Sequence, residues 1–205
     1  MKQIEEIINH IQYEYDNINN SWKKSKNYEK INLKKSLIKD LNSRDRIMDT
    51  IFEYRDYINK NIINFSLNIQ RCCFSTVRIN TRVKAQNSIE YKIYNYQENH
   101  ENGNIPINKC LNDIYGIRII TNKKVKYEDI QKIVSEKYKN LKCIDSSKGS
   151  YKATHIYFKD DNCSFPWELQ IWNQEDEKSN LESHKKYKQG YTKWENESKG
   201  GKSNG

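Results

Sequence analysis

The chain of 205 residues is long enough for one domain with an appendage or for two small domains. Its 36 lysine and arginine residues outnumber 27 aspartate and glutamate residues, and the net charge of +9 predicts a polyanionic partner such as a nucleotide, a nucleic acid or an acidic membrane. No apolar run approaches the roughly 18 residues of a membrane span. The first residues alternate isoleucine with charge, unlike a secretory signal, so we expect a cytoplasmic protein.

The five cysteines are odd in number and show no CxxC spacing. This pattern indicates neither a disulfide framework nor a zinc site. We therefore interpret the cysteines as reduced packing residues.

Residues 1–70 show helical periodicity throughout, and we predict an N-terminal helical region there. Three apolar stripes carry the pattern: Ile4, Ile7, Ile8, Ile11, Tyr15 and Ile18; then Tyr28, Ile31, Leu37, Ile38 and Leu41; then Ile47, Ile51, Tyr54, Ile58 and Ile62, with Ser43 as a helix N-cap. We interpret these three helices as packing elements without chemistry.

Residues 71–192 switch between a period of two and a period of 3.6 residues. The pattern predicts strands at 74–84, 114–121, 141–145, 152–159 and 165–172, and helices near 86–97, 126–139 and 174–188. Asp160-Asp161-Asn162 predicts a hairpin turn between the last two strands. The fold class is therefore α/β (α+β), a mixed five-stranded sheet flanked by helices, followed by a disordered tail at 193–205.

A phosphate-binding pattern lies where the first strand meets its helix: Arg82-x-Lys84-x-x-x-Ser88-x-x-x-Lys92. A strand-to-helix turn directs free backbone N–H groups at an anion, and residues four apart share one helix face. The alternative for this stretch alone is a solvated charged turn.

Alternation within the strands predicts a polar face of the sheet. Arg78, Asn80, Arg82 and Lys84 point away from their apolar neighbours, as do Glu168 and Gln170 in the last strand, and Arg118 and His155 lie between apolar residues in two intervening strands. If these side chains share a face, they form a concave site of cations, an imidazole and a carboxylate. An ordinary solvated sheet face is the alternative.

Five ordered segments together resemble the motif set of the RelA/SpoT alarmone synthetase domain over residues 74–190. They are Arg82 to Lys92, Asp113-Ile114-Tyr115-Gly116-Ile117-Arg118, Tyr151-Lys152-Ala153-Thr154-His155, Glu168-Leu169-Gln170, and His184 to Gly190. The helical appendage makes the plan similar to the small alarmone synthetases. The resemblance implies a nucleotidyltransferase-like synthetase fold.

The resemblance also implies an activity, in which the β,γ-pyrophosphate of ATP moves to the ribose 3′-hydroxyl of GDP or GTP and gives (p)ppGpp and AMP. By the family's motif positions, ATP would be held by Arg82, Lys84, Ser88, Lys92 and Arg118. Asp113 and Glu168 would be catalytic and bind Mg²⁺, with Glu168 also accepting the proton of the attacking hydroxyl. The acceptor would be held by Lys148, Tyr151, His155 and Gln170, with Tyr151 stacked on guanine.

Departures from the family pattern surround the acceptor pocket. The chain has Gly149-Ser150-Tyr151 where the family usually has Asn-Gly-Tyr, and Trp172-Asn173 where it has Arg-Thr. The acceptor therefore stays open: the same chemistry on an adenine nucleotide or on the 3′ end of tRNA is one alternative, and a catalytically dead nucleotide- or RNA-binding module is another. Both Asp113 and Glu168 would repel a polyanion unless a metal intervened, which argues against the binding module.

Small alarmone synthetases often assemble as homo-oligomers through their terminal helices. This chain continues for only about fifteen residues after Gly190, without a counterpart of the C-terminal helices. A homo-oligomer is therefore left open.

Overall fold

The computed structural model describes residues 1–43, 45–71, 77–185 and 194, and it confirms the predicted fold class. The helices are α1 (Lys2–Trp22), α2 (Asp45–Asn61), α3 (Ile63–Arg71), α4 (Gln86–Asn99), α5 (Ile107–Cys110), α6 (Tyr127–Lys137) and α7 (177–185). The strands are β1 (Val77–Val83), β2 (Tyr115–Thr121), β3 (Lys142–Asp145), β4 (Thr154–Phe158) and β5 (Trp167–Asn173). Within these residues, no helix is long and apolar enough to cross a membrane.

Helix α1 confirms the first predicted stripe. The residues of that stripe, from Ile4 to Ile18, are buried, and most polar residues of the helix occupy the opposite face. Asn19 is buried within this stripe. Its amide donates to the carbonyl of Tyr15 (2.8 Å) and its oxygen accepts from the hydroxyl of Tyr54 (3.2 Å), so the buried polar group has partners.

The prediction of a second helix is wrong. Residues 23–37 form turns and irregular backbone, and a 3-10 helix follows at Ile38–Ser43. The side chain of Asn32 accepts hydrogen bonds from two backbone N–H groups that follow it, and this local bonding competes with a helix. Ile31 and Leu41 are nevertheless buried, so the stripe identified core positions but not their backbone conformation.

Helix α2 confirms the third predicted helix, and a further helix, α3, follows it after the buried Ile62. Just before this junction, the Asn61 amide donates to the carbonyl of Tyr57 (2.7 Å), which adds a side-chain competitor to the helical hydrogen bonds. The side chain of Ser43, the predicted N-cap, lies outside the described part of the chain.

The strands form one mixed sheet in the order β1-β2-β5-β4-β3. Strands β2 and β5 run parallel, whereas the other neighbouring pairs are antiparallel. The connection between β4 and β5 contains Asp160 to Asn162, so the predicted hairpin is confirmed, with a longer loop over 159–166. This order places Glu168 and Gln170 on the central strand.

One face of the sheet packs on the N-terminal helices. Trp167 of β5 is fully buried there; its indole N–H donates to the Tyr54 hydroxyl (3.1 Å), and its ring centroid lies 5.3 Å from that of Tyr15. Replacing so large a buried side chain with alanine costs about 3–5 kcal/mol. A single apolar cluster contains residues of the N-terminal helices and residues of the sheet. The predicted domain boundary near residue 70 therefore stays a prediction.

The last predicted helix begins later than expected. A 3-10 turn occupies Gln174–Asp176, and α7 follows. The end of the predicted helix and the predicted disordered tail at 193–205, apart from Trp194, lie outside the described residues.

Candidate active site

Strand register brings the predicted polar residues onto the face of the sheet opposite the N-terminal helices, which confirms that they share a face. One row across the strands contains Arg82, Gly116, Glu168 and Tyr157, and the next contains Asn80, Arg118, Gln170 and His155. Gly116 has no side chain, so the first row is open between its arginine and its carboxylate. The site therefore begins at the central strand and extends to both sides.

A cavity of about 730 Å³ lies over these rows. It is lined by nine of the predicted site residues: Arg82, Lys84, Ser88, Lys92, Asp113, Tyr151, His155, Glu168 and Gln170. Arg118 instead lines a neighbouring cavity of about 90 Å³ together with Arg82. Lys148 lines neither cavity; it is exposed and pairs with Tyr151 through two backbone hydrogen bonds (2.9 and 3.1 Å).

One side of the cavity, which we call the cationic wall, consists of Arg82, Lys84, Lys92 and Asp113. Lys84 Nζ donates to Asp113 Oδ2 (2.7 Å) and Lys92 Nζ donates to Asp113 Oδ1 (3.0 Å), while Arg82 lies 3.9 Å away. Lys84 follows β1 and its backbone N–H donates to Ile114 O (2.8 Å), which fixes the end of the strand beside the carboxylate. Three cations thus converge on one buried aspartate.

The pKa values of the residues in the cationic wall depend on their contacts with one another. Burial would raise the pKa of Asp113, but the positive charges of Lys92 and Lys84 outweigh burial and hold it well below its ordinary value. Burial lowers the pKa of Lys84 despite the aspartate, whereas the attraction of Asp113 outweighs burial and raises that of Lys92. With Arg82 included, three positive charges face one negative charge, so the wall attracts an anion.

The opposite side of the cavity, the aromatic wall, is built around Glu168. Its Oε1 accepts from the Tyr157 hydroxyl (3.0 Å) and lies 3.0 Å from His155 Nδ1, and its Oε2 accepts from the Gln170 amide (2.7 Å). Burial would raise the pKa of Glu168, but the hydrogen bond with His155 and the amide of Gln170 bring the net pKa below the ordinary value. Glu168 is therefore a buried carboxylate held in its charged form.

The rest of the aromatic wall consists of Tyr151, Trp172 and His184, which join this network. The Tyr151 hydroxyl lies 2.9 Å from His155 Nε2 and accepts from the Trp172 indole N–H (3.3 Å). A proton on Nδ1 lets His155 donate to Glu168, and Nε2 is the ring nitrogen that faces the Tyr151 hydroxyl. Burial raises the pKa of Tyr151 to about 12, so the phenol stays protonated and can donate.

Arg118 contacts the aromatic wall through Trp172 and Gln170. Its guanidinium lies 3.7 Å from the centroid of the Trp172 ring, and its Nε donates to Gln170 Oε1 (3.0 Å). His184 of α7 stacks on Trp172 with a ring centroid distance of 5.5 Å, and its Nε2 lies 3.2 Å from a guanidinium nitrogen of Arg118. Burial first, and then the charges of Arg118 and Arg82, lower the pKa of His184 to about 4.

A buried asparagine fixes the segment that carries Tyr151. Asn180 of α7 accepts from the backbone N–H of Lys152 (2.7 Å) and donates to the Lys152 carbonyl (2.8 Å). The hydroxyls of Ser150 and Ser183 add a contact of 3.1 Å. The aromatic wall is therefore preorganised by α7.

The two carboxylates fit a magnesium ion better than a transition metal. In the described ranges no three His, Cys, Asp or Glu side chains are placed to hold a metal together. Mg²⁺ needs only one or two carboxylates when phosphate oxygens complete its coordination. Both carboxylates line the same cavity. Each carboxylate is already bonded to side chains, so a cation requires those partners to move.

Sequence reasoning missed Tyr157 and Asn112, which also line the cavity. Tyr157 is two residues after His155 in a strand, so alternation alone could have found it. Asn112 accepts from Lys92 Nζ (3.2 Å) and precedes β2 in an irregular segment, where no periodic signal exists.

Comparisons with known proteins found a family model and several solved structures that match the chain. A family model described as a region found in RelA / SpoT proteins matches residues 81–192, more than half of the chain. Among solved structures, the chain is similar to the small alarmone synthetase 1 from Bacillus subtilis bound to its product pppGpp, with 17% identity over 66% of this chain and 82% of that chain and a TM-score of 0.43. It is also similar to the small alarmone synthetase 2 from Bacillus subtilis (17% identity, 74% and 82% coverage, TM-score 0.37) and to smu.1046c from Streptococcus mutans (19%, 72% and 78%, 0.39). No curated protein sequence matches the chain.

Proposed function

Because the chain belongs to the RelA/SpoT family, we propose that it is a pyrophosphokinase that transfers the β,γ-pyrophosphate of ATP to the 3′-hydroxyl of GDP or GTP. The observation that carries the proposal is a single cavity with an anion-attracting wall on one side and a buried, ionised glutamate on the other. Phosphoryl-type transfer needs these two features, because it depends mainly on positioning and on neutralising the charge of the transferred group.

The cationic wall would bind the phosphates of ATP. Lys84 and Lys92 each have three donors on a flexible stem, so they can turn from Asp113 to phosphate oxygens over a short distance. Ser88 lies between them on the first turn of α4 and adds a hydroxyl at the same edge of the cavity. Arg82 is half-exposed at the mouth, where a guanidinium can bind a phosphate through two hydrogen bonds.

The aromatic wall would hold the acceptor and take its proton. In the proposed step the ribose 3′-oxygen attacks the β-phosphorus of ATP and forms the new P–O bond. The bond from that phosphorus to the α,β-bridging oxygen breaks, AMP leaves, and the hydroxyl proton passes to Glu168. A depressed pKa keeps Glu168 unprotonated and ready to accept it, while Tyr157 and Gln170 hold its oxygens in place.

Magnesium would be bound by Asp113 and Glu168 together with the ATP phosphates, and it would neutralise charge on the transferred group. Lysines that turn to phosphate leave Asp113 without its cations, which favours a new cation beside it. We therefore propose that ATP and Mg²⁺ bind together.

Incubation of the purified protein with γ-labelled ATP, Mg²⁺ and one acceptor at a time tests the function. With GDP or GTP we expect labelled ppGpp or pppGpp and an equal amount of AMP. Label transferred only to an adenine nucleotide or to the 3′ end of tRNA would retain the chemistry and reject the guanine acceptor. Absence of transfer to every acceptor would reject the enzyme and favour a binding module.

A further inference from the structure

Trp172 belongs to a small apolar cluster on the polar face of the sheet, apart from the main core. It is fully buried there with Ile120 and Ala153, and Tyr151 packs against this cluster. Trp172 pairs with Ile120 across β5 and β2, one row beyond the row that contains Arg118. The indole therefore closes one end of the candidate active site without being part of the main core.

The indole ring of Trp172 holds the guanidinium group of Arg118. The guanidinium carbon lies 3.7 Å from the ring centroid, which is a close cation–π contact. Two further partners of the guanidinium are Gln170 Oε1 (3.0 Å) and His184 Nε2 (3.2 Å). An indole, an amide and an imidazole whose pKa is lowered to about 4 do not compensate its charge near pH 7. Arg118 is therefore held in one place and stays available to an anion.

The N–H of the same indole holds Tyr151. It donates to the Tyr151 hydroxyl oxygen (3.3 Å), and the two rings meet edge to face with their centroids 5.9 Å apart. Because this oxygen accepts from Trp172, the hydroxyl proton remains for His155 Nε2, 2.9 Å away. His155 Nδ1 in turn lies 3.0 Å from Glu168. One hydrogen-bonded series therefore runs from Trp172 to the glutamate of the central strand.

Trp172 thus contacts two residues that the proposed function assigns to different substrates, Arg118 to ATP and Tyr151 to the acceptor. Trp172 itself is 0% exposed, so it acts on a substrate only through the side chains that it holds. The chain departs from the family pattern at this position, where arginine is usual. A second guanidinium there would repel Arg118, whereas the indole attracts it.

We propose that Trp172 is a positioning residue that fixes Arg118 for ATP and Tyr151 for the acceptor. This role rests on the proposed function. A single rigid ring sets the separation of the two side chains, so it also sets how the acceptor hydroxyl meets the phosphorus that it attacks. Such placement affects the rate strongly, because a misplacement of about 1 Å costs on the order of 10²-fold.

Two substitutions of Trp172 separate its two contacts. Trp172→Leu removes both the ring and the N–H, whereas Trp172→Phe retains an aromatic face for Arg118 and loses the N–H to Tyr151. Trp22→Leu is the matched control, because Trp22 is likewise a buried tryptophan but packs among tyrosines of the N-terminal region.

Isothermal titration measures the binding of two ligands without turnover. The first is α,β-methylene-ATP with Mg²⁺, which cannot transfer its terminal phosphates, and the second is GDP in the presence of that analogue. Circular dichroism checks the fold of each variant, and urea unfolding measures its stability.

For Trp172→Leu we expect the Kd of both ligands to rise, by about 3- to 30-fold for the ATP analogue and by about 3- to 10-fold for GDP. For Trp172→Phe we expect a rise for GDP, with the ATP analogue within about twofold of wild type. Trp22→Leu should lose stability and keep both Kd values, because a folded chain with a weaker core keeps its site. In turnover, the two KM values should change in the same way as the Kd values.

Adding Tyr151→Phe to Trp172→Phe tests whether the two side chains act together. If Trp172 acts on the acceptor through the Tyr151 hydroxyl, the double variant should bind GDP no more weakly than Tyr151→Phe does. Additive losses would overturn this route. Unchanged Kd values in Trp172→Leu, or a loss for only one ligand, would overturn the positioning role and leave a packing residue.

The labelled-ATP assay on the wild type judges the proposed function separately. Normal transfer by Trp172→Leu rejects the positioning role alone. Label that passes only to another acceptor makes that acceptor the second ligand of the titration in place of GDP. Absence of transfer by the wild type rejects the proposed function, whatever the titrations show.

Discussion

The two walls of the cavity each bury one carboxylate and keep it ionised, but by different means. Asp113, 8% exposed, owes its depressed pKa to the charges and hydrogen bonds of two lysines, whereas Glu168, 5% exposed, owes its own to the hydrogen bond and charge of His155 and to the amide of Gln170. A lysine ammonium group can move from Asp113 to a phosphate oxygen, whereas the side chains that bond to Glu168 are held in a packed network. The cationic wall is therefore suited to exchange partners, and the aromatic wall to hold one geometry.

Glu168→Gln provides the strongest test of the comparison. We expect transfer to fall about 10³-fold or more, because the substitution removes the residue proposed to be both a metal ligand and the proton acceptor. Volume is nearly unchanged, so the fold should persist by circular dichroism. Glu136→Gln, on exposed α6, is the matched control and should keep wild-type rates. Activity of Glu168→Gln within a few-fold of wild type would place the chemistry elsewhere.

Lys92→Ala tests the exchange of partners on the cationic wall. We expect kcat/KM for ATP to fall on the order of 10²-fold, whichever acceptor is used, since ATP phosphates are common to every version of the reaction. The variant should also be less stable by up to about 3 kcal/mol, because Asp113 keeps only Lys84 as a close cation. Urea unfolding measures the stability and steady-state kinetics measure the ATP dependence. A loss confined to one acceptor would assign Lys92 to the acceptor instead.

Tyr151→Ala and Tyr151→Phe test the aromatic wall. If the ring stacks on the acceptor base, Tyr151→Ala should raise acceptor KM by about 5- to 150-fold, equivalent to roughly 1–3 kcal/mol, with ATP KM near normal. Tyr151→Phe keeps the ring and removes only the contacts to His155 and Trp172, so its effect should be smaller. A tRNA acceptor would instead show steep salt dependence and little dependence on Tyr151. Tyr13→Ala, at an exposed position of α1, is the control.

The sequence predicted which residues share a face of the sheet, but it did not predict their contacts across strands. Residues on alternating strand positions, such as Arg82 and Glu168, could be assigned to one face because a strand has a period of two whatever its neighbours are. The partners across strands depend on strand order, which periodicity does not contain. The contact between Tyr157 and Glu168 therefore appears only in the folded chain.

Polar side chains account for the incorrect helix prediction. Residues 23–37 carry buried apolar positions, yet the side chain of Asn32 bonds to the local backbone and favours turns. Periodicity detects burial and does not weigh this competition. Conversely, the site motifs were found through strand alternation and through their resemblance to a family; the roles of the individual residues stay predictions until variants are measured.

The smallest expected effect is a pH dependence of stability from His184, which belongs to the aromatic wall. Its pKa is lowered from 6.5 to about 4, so the unfolded chain binds a proton more readily than the folded chain does between these values. The stability that this histidine contributes is therefore complete above pH 6.5 and is lost progressively as the pH falls towards about 4. His184→Gln removes the titrating group, so its urea midpoint should fall less than that of wild type between about pH 7 and pH 4.5. His10→Gln, at an exposed position of α1, should follow the wild type. Equal slopes for wild type and His184→Gln would show that the imidazole is hydrated in the folded chain, and Arg118 and Trp172 would then not enclose it.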